Sequence, residues 1–263
     1  MRAALASLII ALAASSAGAR EATSDDWALS ADQGRNLTLA TVAYSSGQTL
    51  AVRCQAGVLD VIVTGLPAIT ERTRYVETTV GERPMERGLW ASGGDGTVVL
   101  SVAPAPTARR LRAGGALRLS VAVDEANDSP LRQYAFDLPG QSGSLDRVLA
   151  ACDTPTTDAR DDLPRWTRPR GSTLNYWSRM ATPEYPAAAD RAGIKSGYAV
   201  LSCVVRPEGR LHQCVVESES QRQAGFGQAA VRAMGAARVL LAEEGGPRPG
   251  QLVVFTLRFR VAP

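Results

Sequence analysis

The sequence predicts two domains. The first is an all-β antiparallel sandwich or barrel with a C-terminal helix; the second is an α+β module of two helices on a three-stranded antiparallel sheet. Three observations predict this. Residues 27–138 alternate short apolar runs with turn residues, the spacing of a sandwich or barrel. Residues 153–175 are polar and rich in breakers. Beyond them the order becomes helix, strand, strand, helix, strand, an α+β plan. The 263 residues suffice for two ordinary domains, and 45% hydrophobic content is that of a globular chain.

The chain opens with an export signal by pattern. Arg2 supplies a positive start, Ala3 to Ala14 an apolar stretch, and Ala17-Gly18-Ala19 a small-x-small cleavage site. Cleavage after Ala19 makes Arg20 the mature N-terminus. The apolar run is shorter than the roughly 20 residues that span a bilayer. A periplasmic protein with no stable membrane anchor after cleavage is therefore expected. The domain bounds read 1–19 for the signal peptide, 20–153 for the β-rich domain, 154–175 for the linker and 176–263 for the C-terminal domain.

In the β-rich domain, Leu37–Tyr44, Thr49–Cys54, Val58–Thr64, Thr97–Val102 and Ala116–Val123 read as strands. Ser45-Ser46-Gly47, Ser92–Gly96 and Gly114-Gly115 separate them. Leu145, Val148, Leu149 and Cys152 then follow a helical stripe. Export permits disulfides, and four cysteines allow three pairings. The domain division favours Cys54–Cys152 and Cys203–Cys214, since each pair then lies within one domain.

In the C-terminal domain, Tyr185-Pro186 precedes a short helix, Ala187–Ala192, with Gly193 at its C-cap. Tyr198–Arg206 and Arg210–Glu217 form a hairpin about Glu208-Gly209. A two-residue turn there sets Cys203 opposite Cys214 and His212 opposite Val205. Phe226, Ala230, Ala233, Ala237 and Leu240 share a helical stripe, and Leu252–Val261 is a final strand.

Charge is divided unevenly. Residues 20–153 hold 13 Arg against 16 Asp and Glu, while residues 170–263 hold 12 Lys and Arg against 7 Asp and Glu. A basic C-terminal domain suits an acidic partner, but its excess is too diffuse for nucleic acid. No nucleophile elbow, zinc-protease motif or phosphate loop is present. His212 is the sole histidine and lacks a second histidine to work with. Asp161-Asp162 and Glu243-Glu244 read as solvated loop charge, and Arg109-Arg110-x-Arg112 as a solvated turn before a strand. No catalytic residue, metal or cofactor is expected, and the chain reads as a non-enzyme.

One ordered set of motifs goes further: Pro183-Glu184-Tyr185-Pro186, Gly193-Ile194-Lys195-Ser196-Gly197, the turn at Gly209, and Phe226-Gly227-Gln228-Ala229-Ala230. Together they resemble the TonB C-terminal domain family, in a cysteine-bearing branch, over residues 180–261. The resemblance implies strand addition to the open edge of the last strand, where main-chain bonds give affinity and alternate side chains give selectivity. The matching edge positions are Leu252, Val254, Thr256, Arg258 and Arg260, and Arg179–Tyr185 falls where the family makes further receptor contacts. The implied partner is a protein, with an outer-membrane transporter as candidate.

The chain departs from that family's energy transducers in having a cleavable signal and a short linker. Fully extended, about 20 residues span only about 70 Å. The alternative expectation is a cell-envelope structural or assembly factor that uses the fold to form a homodimer. Nothing attaches an activity to the N-terminal β-domain.

Overall fold

The structure is a computed structural model that describes residues 25–123, 130–169, 175–242 and 245–261. The export signal, Glu243-Glu244 and residues 170–174 lie outside the described residues. The described chain is largely β-sheet with a few short helices.

Alternating apolar residues build one antiparallel sheet in the N-terminal part. Its strands are β1 (Ala28–Asp32), β2 (Leu37–Ala43), β3 (Thr49–Gln55), β4 (Val58–Thr64), β5 (Thr73–Val80), β6 (Glu86–Gly93), β7 (Val98–Leu100), β8 (Gly115–Ala122) and β9 (Leu131–Leu138). Their spatial order is β1-β2-β3-β4-β7-β6-β5-β8-β9. The sheet curls until its two ends approach. Tyr44, just after β2, packs on Phe136 of β9 with ring centroids 4.5 Å apart, and its hydroxyl donates to the Asp137 carbonyl at 3.2 Å. Val52, Val61, Val99, Leu119 and Val121 fill the interior.

Two helices complete this part, α1 (Pro104–Leu111) and α2 (Gly143–Ala151). The stripe of Leu145, Val148 and Leu149 on α2 is fully buried. It delivers Cys152 to Cys54 on β3, and the disulfide spans 98 residues of sequence. In the chain-entropy model closing such a loop contributes about 4–5 kcal/mol. Helix α1 corrects the sequence reading of Arg109-Arg110-x-Arg112 as a solvated turn. Pro104 and Pro106 occupy its first turn, where a missing amide costs little, and Arg109 is buried.

The C-terminal part holds β10 (Trp177–Arg179), α3 (Ala187–Arg191), β11 (Ser196–Val205), β12 (Leu211–Glu219), α4 (Phe226–Ala233), β13 (Arg238–Val239) and β14 (Leu252–Arg260). Strand β11 is central in the order β12-β11-β14, and β10 pairs with β13. Helix α4 is shorter than its stripe predicted. A 3-10 turn over Met234–Ala236 follows it and Ala237 is already extended, so Leu240 lies outside the helix.

The hairpin also differs from its expected register. Its turn holds Pro207, Glu208 and Gly209, with the Arg206 amide bonded to the Arg210 carbonyl at 2.9 Å. His212 therefore faces Val204, not Val205. A bulge then sets Gln213 and Cys214 together against Cys203, with Gln213 left-handed at φ 47°. That bulge restores the register, and the Cys203–Cys214 disulfide forms with Cα atoms 4.1 Å apart.

The buried apolar residues fall into two clusters that share no member. One draws on residues 27–152, the other on residues 176–259.

Candidate functional site

Most motif residues converge on one knot under the sheet, while Gly209 serves the hairpin turn at the other end of β11. Phe226, at the start of α4, is fully buried and lies 5.0 Å from the Phe259 ring, centroid to centroid. Tyr185 meets Phe226 edge-on at 5.8 Å, and its hydroxyl donates to the Ile194 carbonyl at 2.6 Å. Gly197 is required by contact: a Cβ there would stand 2.2 Å from the Phe226 ring. Pro186 caps the start of α3, where a Cβ added at Gly225 would come within 3.6 Å of it, while Gly193 follows α3 at φ +68°. Ala230 is fully buried on the α4 face that packs against β11. Gly209 sits at φ +74°, and a Cβ there would strike the Val239 carbonyl. Pro183 is half-buried on the segment leading into α3.

This knot aims β14. Val253, Phe255, Leu257 and Phe259 point into the core, so Leu252, Val254, Thr256, Arg258 and Arg260 point to the other face. The β11–β14 register runs unbroken from Ser196↔Arg260 to Val204↔Leu252. Because N–H and C=O directions alternate along a strand, the odd-numbered backbone groups serve β11. Those of Leu252, Val254, Thr256, Arg258 and Arg260 face the outer edge.

At Leu252 that edge is already taken. Its amide donates to the Pro164 carbonyl at 2.9 Å, and its carbonyl accepts from the Trp166 amide at 2.8 Å. The contact is a parallel bridge centred on Arg165. Among the described residues no strand pairs with β14 beyond it, which leaves the outer edge open from Val254 to Arg260. Sequence reasoning missed this strap. Its one signal is Trp166, an aromatic within a polar stretch, which packs on Tyr176 at 4.8 Å. Tyr176 in turn packs on Trp177, and Trp177 meets Phe255 edge-on.

Buried ion pairs anchor the strap. Arg109 on α1 binds Asp161 through two bonds, at 2.5 and 2.9 Å. Asp161 is thus no solvated loop charge, as the sequence suggested; its side chain is 13% exposed. Arg165 and Arg110 share Glu86 of β6 at 3.1 and 2.5 Å. Arg160 reaches Ser202 on β11 at 3.0 Å and Glu217 on β12 at 3.8 Å. Glu217 is the extra residue of a second bulge in β12, between Val216 and Ser218. Burial raises its carboxyl above the ordinary glutamate range, against the opposing pull of a Ser202 hydrogen bond and the cations of Arg160, Arg165 and Arg109.

A cleft of about 710 Å³ opens beside these pairs, lined by Glu82, Arg83, Arg110, Asp161 and Asp162 among others. None of its lining residues is Ser, Cys, His or Lys; its ionisable groups are the carboxylates Glu82, Asp161 and Asp162 and the arginines Arg83 and Arg110. Among the described residues no group of three or more His, Cys, Asp or Glu is placed to hold a metal ion. No helix among them is long and apolar enough to cross a membrane.

Residues 181–261 match the family model for the Gram-negative bacterial TonB protein C-terminal. This stretch contains every motif residue of the aromatic knot and the whole of β14. The N-terminal part is matched by no family model. A curated relative from Caulobacter vibrioides, an uncharacterized protein, is 36% identical over 64 residues. That match covers 24% of this chain and 64% of the relative, so the chain spans less than two thirds of the relative's length. The crystal structure of invasion associated protein b from Bartonella henselae aligns at a TM-score of 0.35 and 21% identity, covering 47% of this chain and 92% of that one.

Proposed function

We propose that the TonB-like module is a periplasmic protein-binding domain that takes an extended segment of a partner onto the open edge of β14, with an outer-membrane transporter as the candidate partner. One observation carries this reading: the outward amides and carbonyls of Val254 to Arg260, in a chain segment that matches the TonB C-terminal family, have no strand beside them among the described residues. Domains of that family mediate protein–protein contacts. An added strand satisfies those groups in a geometry the sheet has already set, and the ordering cost falls mainly on the incoming segment. Two disulfides fit an oxidising compartment, as does the apolar leader of residues 1–19.

The same reading divides the chain into a β-rich domain at 20–153, a connector at 154–175 and the binding module at 176–263. The connector does more than join. Its ion pairs to α1 and β6 hold the strap at Leu252, so the β-rich domain braces the module and sets where an added strand must stop.

The test is crosslinking in the source cell, with a photoreactive residue at Thr256. This position is exposed and faces away from the core. Capture of an outer-membrane protein, abolished when Arg258 is replaced by proline, is the expected result. Capture only of a second copy of the chain replaces this reading with self-association. Capture of nothing overturns it.

A further inference from the structure

The open edge is chemically lopsided. On the outer face of β14, Thr256, Arg258 and Arg260 are exposed. Arg258 stands opposite Tyr198 and Arg260 opposite Ser196, so β11 brings neither a carboxylate. Neither arginine has an ion-pair partner among the described residues. The acidic group near Tyr198 is Asp60, and it is bound to Arg53 at 2.6 Å. The next cation along, Lys195, is exposed, and its carbonyl accepts from the Val261 amide. On the inner side the edge is apolar. Phe255 and Phe259 lie beneath it, and the segment from Trp177 to Tyr185 runs from one to the other with Met180 60% exposed.

Resting on the strand-addition reading, we propose that the partner segment is an acidic, alternating extended peptide. Its Asp or Glu residues are spaced two apart beside Arg258 and Arg260, and the residues between them are apolar. Directly opposed side chains on neighbouring strands lie close enough to pair, and opposite charges across a sheet stabilise while like charges repel. The strap at Leu252 limits the segment to the stretch from Val254 onward, so the acidic pair sits near the end of the added strand remote from the strap.

The experiment uses the full oxidised chain and three capped heptapeptides that differ only at two alternate positions, which carry Asp, Asn or Lys between valines. Fluorescence anisotropy gives each affinity at low and high salt, and amide hydrogen exchange reports where each binds. The Asp peptide is expected to bind about fivefold tighter than the Asn peptide at low salt, the combined effect of two cross-strand ion pairs. The Lys peptide binds weakest. The Asp preference shrinks at high salt and disappears in the double variant Arg258→Ser, Arg260→Ser. If Asp and Asn peptides protect β14 equally well, the acidic-partner proposal is wrong and strand addition stands. If no peptide protects the outward amides of β14, strand addition fails and the proposal falls with it.

Discussion

The Trp166 amide donates to the carbonyl of Leu252 at 2.8 Å, so a residue from the middle of the chain occupies the first position of its last strand's outer edge. The ring of Trp166, held against Tyr176, fixes the geometry of this contact. Trp166→Ala removes that support while leaving the β11–β14 ladder intact. Amide exchange at Leu252 is expected to speed up by about tenfold or more, with Val253 unchanged, because only the outer bond is weakened. Equal acceleration at both residues would mean that the strap supports the whole strand.

The bidentate pair of Arg109 and Asp161 has side chains 5% and 13% exposed. Removing Asp161 leaves the buried Arg109 with only a longer contact, 3.6 Å, to Asp158, which already pairs with Arg160. Asp161→Ala is expected to cost about 3 kcal/mol in a urea unfolding curve of the full chain. Arg109→Met combined with Asp161→Leu is expected to cost clearly less, because no buried charge is left unpaired. If the double variant is the worse of the two, the pair is a net source of stability.

Gly197 and Phe226 make the tightest packing requirement between a glycine and a side chain in the C-terminal part, with a Cβ at Gly197 only 2.2 Å from the ring. Gly197→Ala forces the ring aside and is expected to cost about 3 kcal/mol, the upper range for overpacking. Adding Phe226→Leu is expected to recover part of that loss, which a thermal or urea melt of the two variants measures. No recovery would place the conflict in the backbone instead.

Glu217 links stability to pH. Burial raises its folded pKa above that of the unfolded chain. Folding therefore favours its protonated form, and this contribution is full below the ordinary glutamate pKa and is lost as pH rises through the folded value. Glu217→Gln lacks the titration. Its stability relative to the wild type is expected to increase from about pH 4 to about pH 7, read from urea midpoints. A difference that stays flat across this range would show that Glu217 titrates normally.

Much of this was legible in the sequence, for identifiable reasons. Strands β2 to β4 alternate cleanly, and Val58–Thr64 coincides with its predicted bounds. The α2 stripe followed from spacing, and the two cysteine pairs from the domain division, with the hairpin arithmetic adding to Cys203–Cys214. Strand β5 was not legible because its sequence, TRYVETTV, is mostly polar and buries Arg74 rather than exposing it. Strands β6 and β9 interrupt their apolar residues with charge in the same way. Helix α1 was hidden by two prolines that signal a break in most settings but are tolerated in a first turn. At the candidate site, the residues of the knot were visible as motifs, and the edge was what the family resemblance implied. The strap was not, because pairing Pro164 and Trp166 with Leu252 spans more than 80 residues and depends on ion pairs to α1 and β6.

Amide hydrogen exchange along β14 in the free chain, followed residue by residue at low concentration, tests the open edge most directly. An edge open beyond Leu252 predicts slow exchange at Val253, Phe255, Leu257 and Phe259, slow exchange at Leu252, and fast exchange at Val254, Thr256, Arg258 and Arg260. Uniform protection along the strand would contradict it and show that the edge is already covered, by the chain itself or by a second copy.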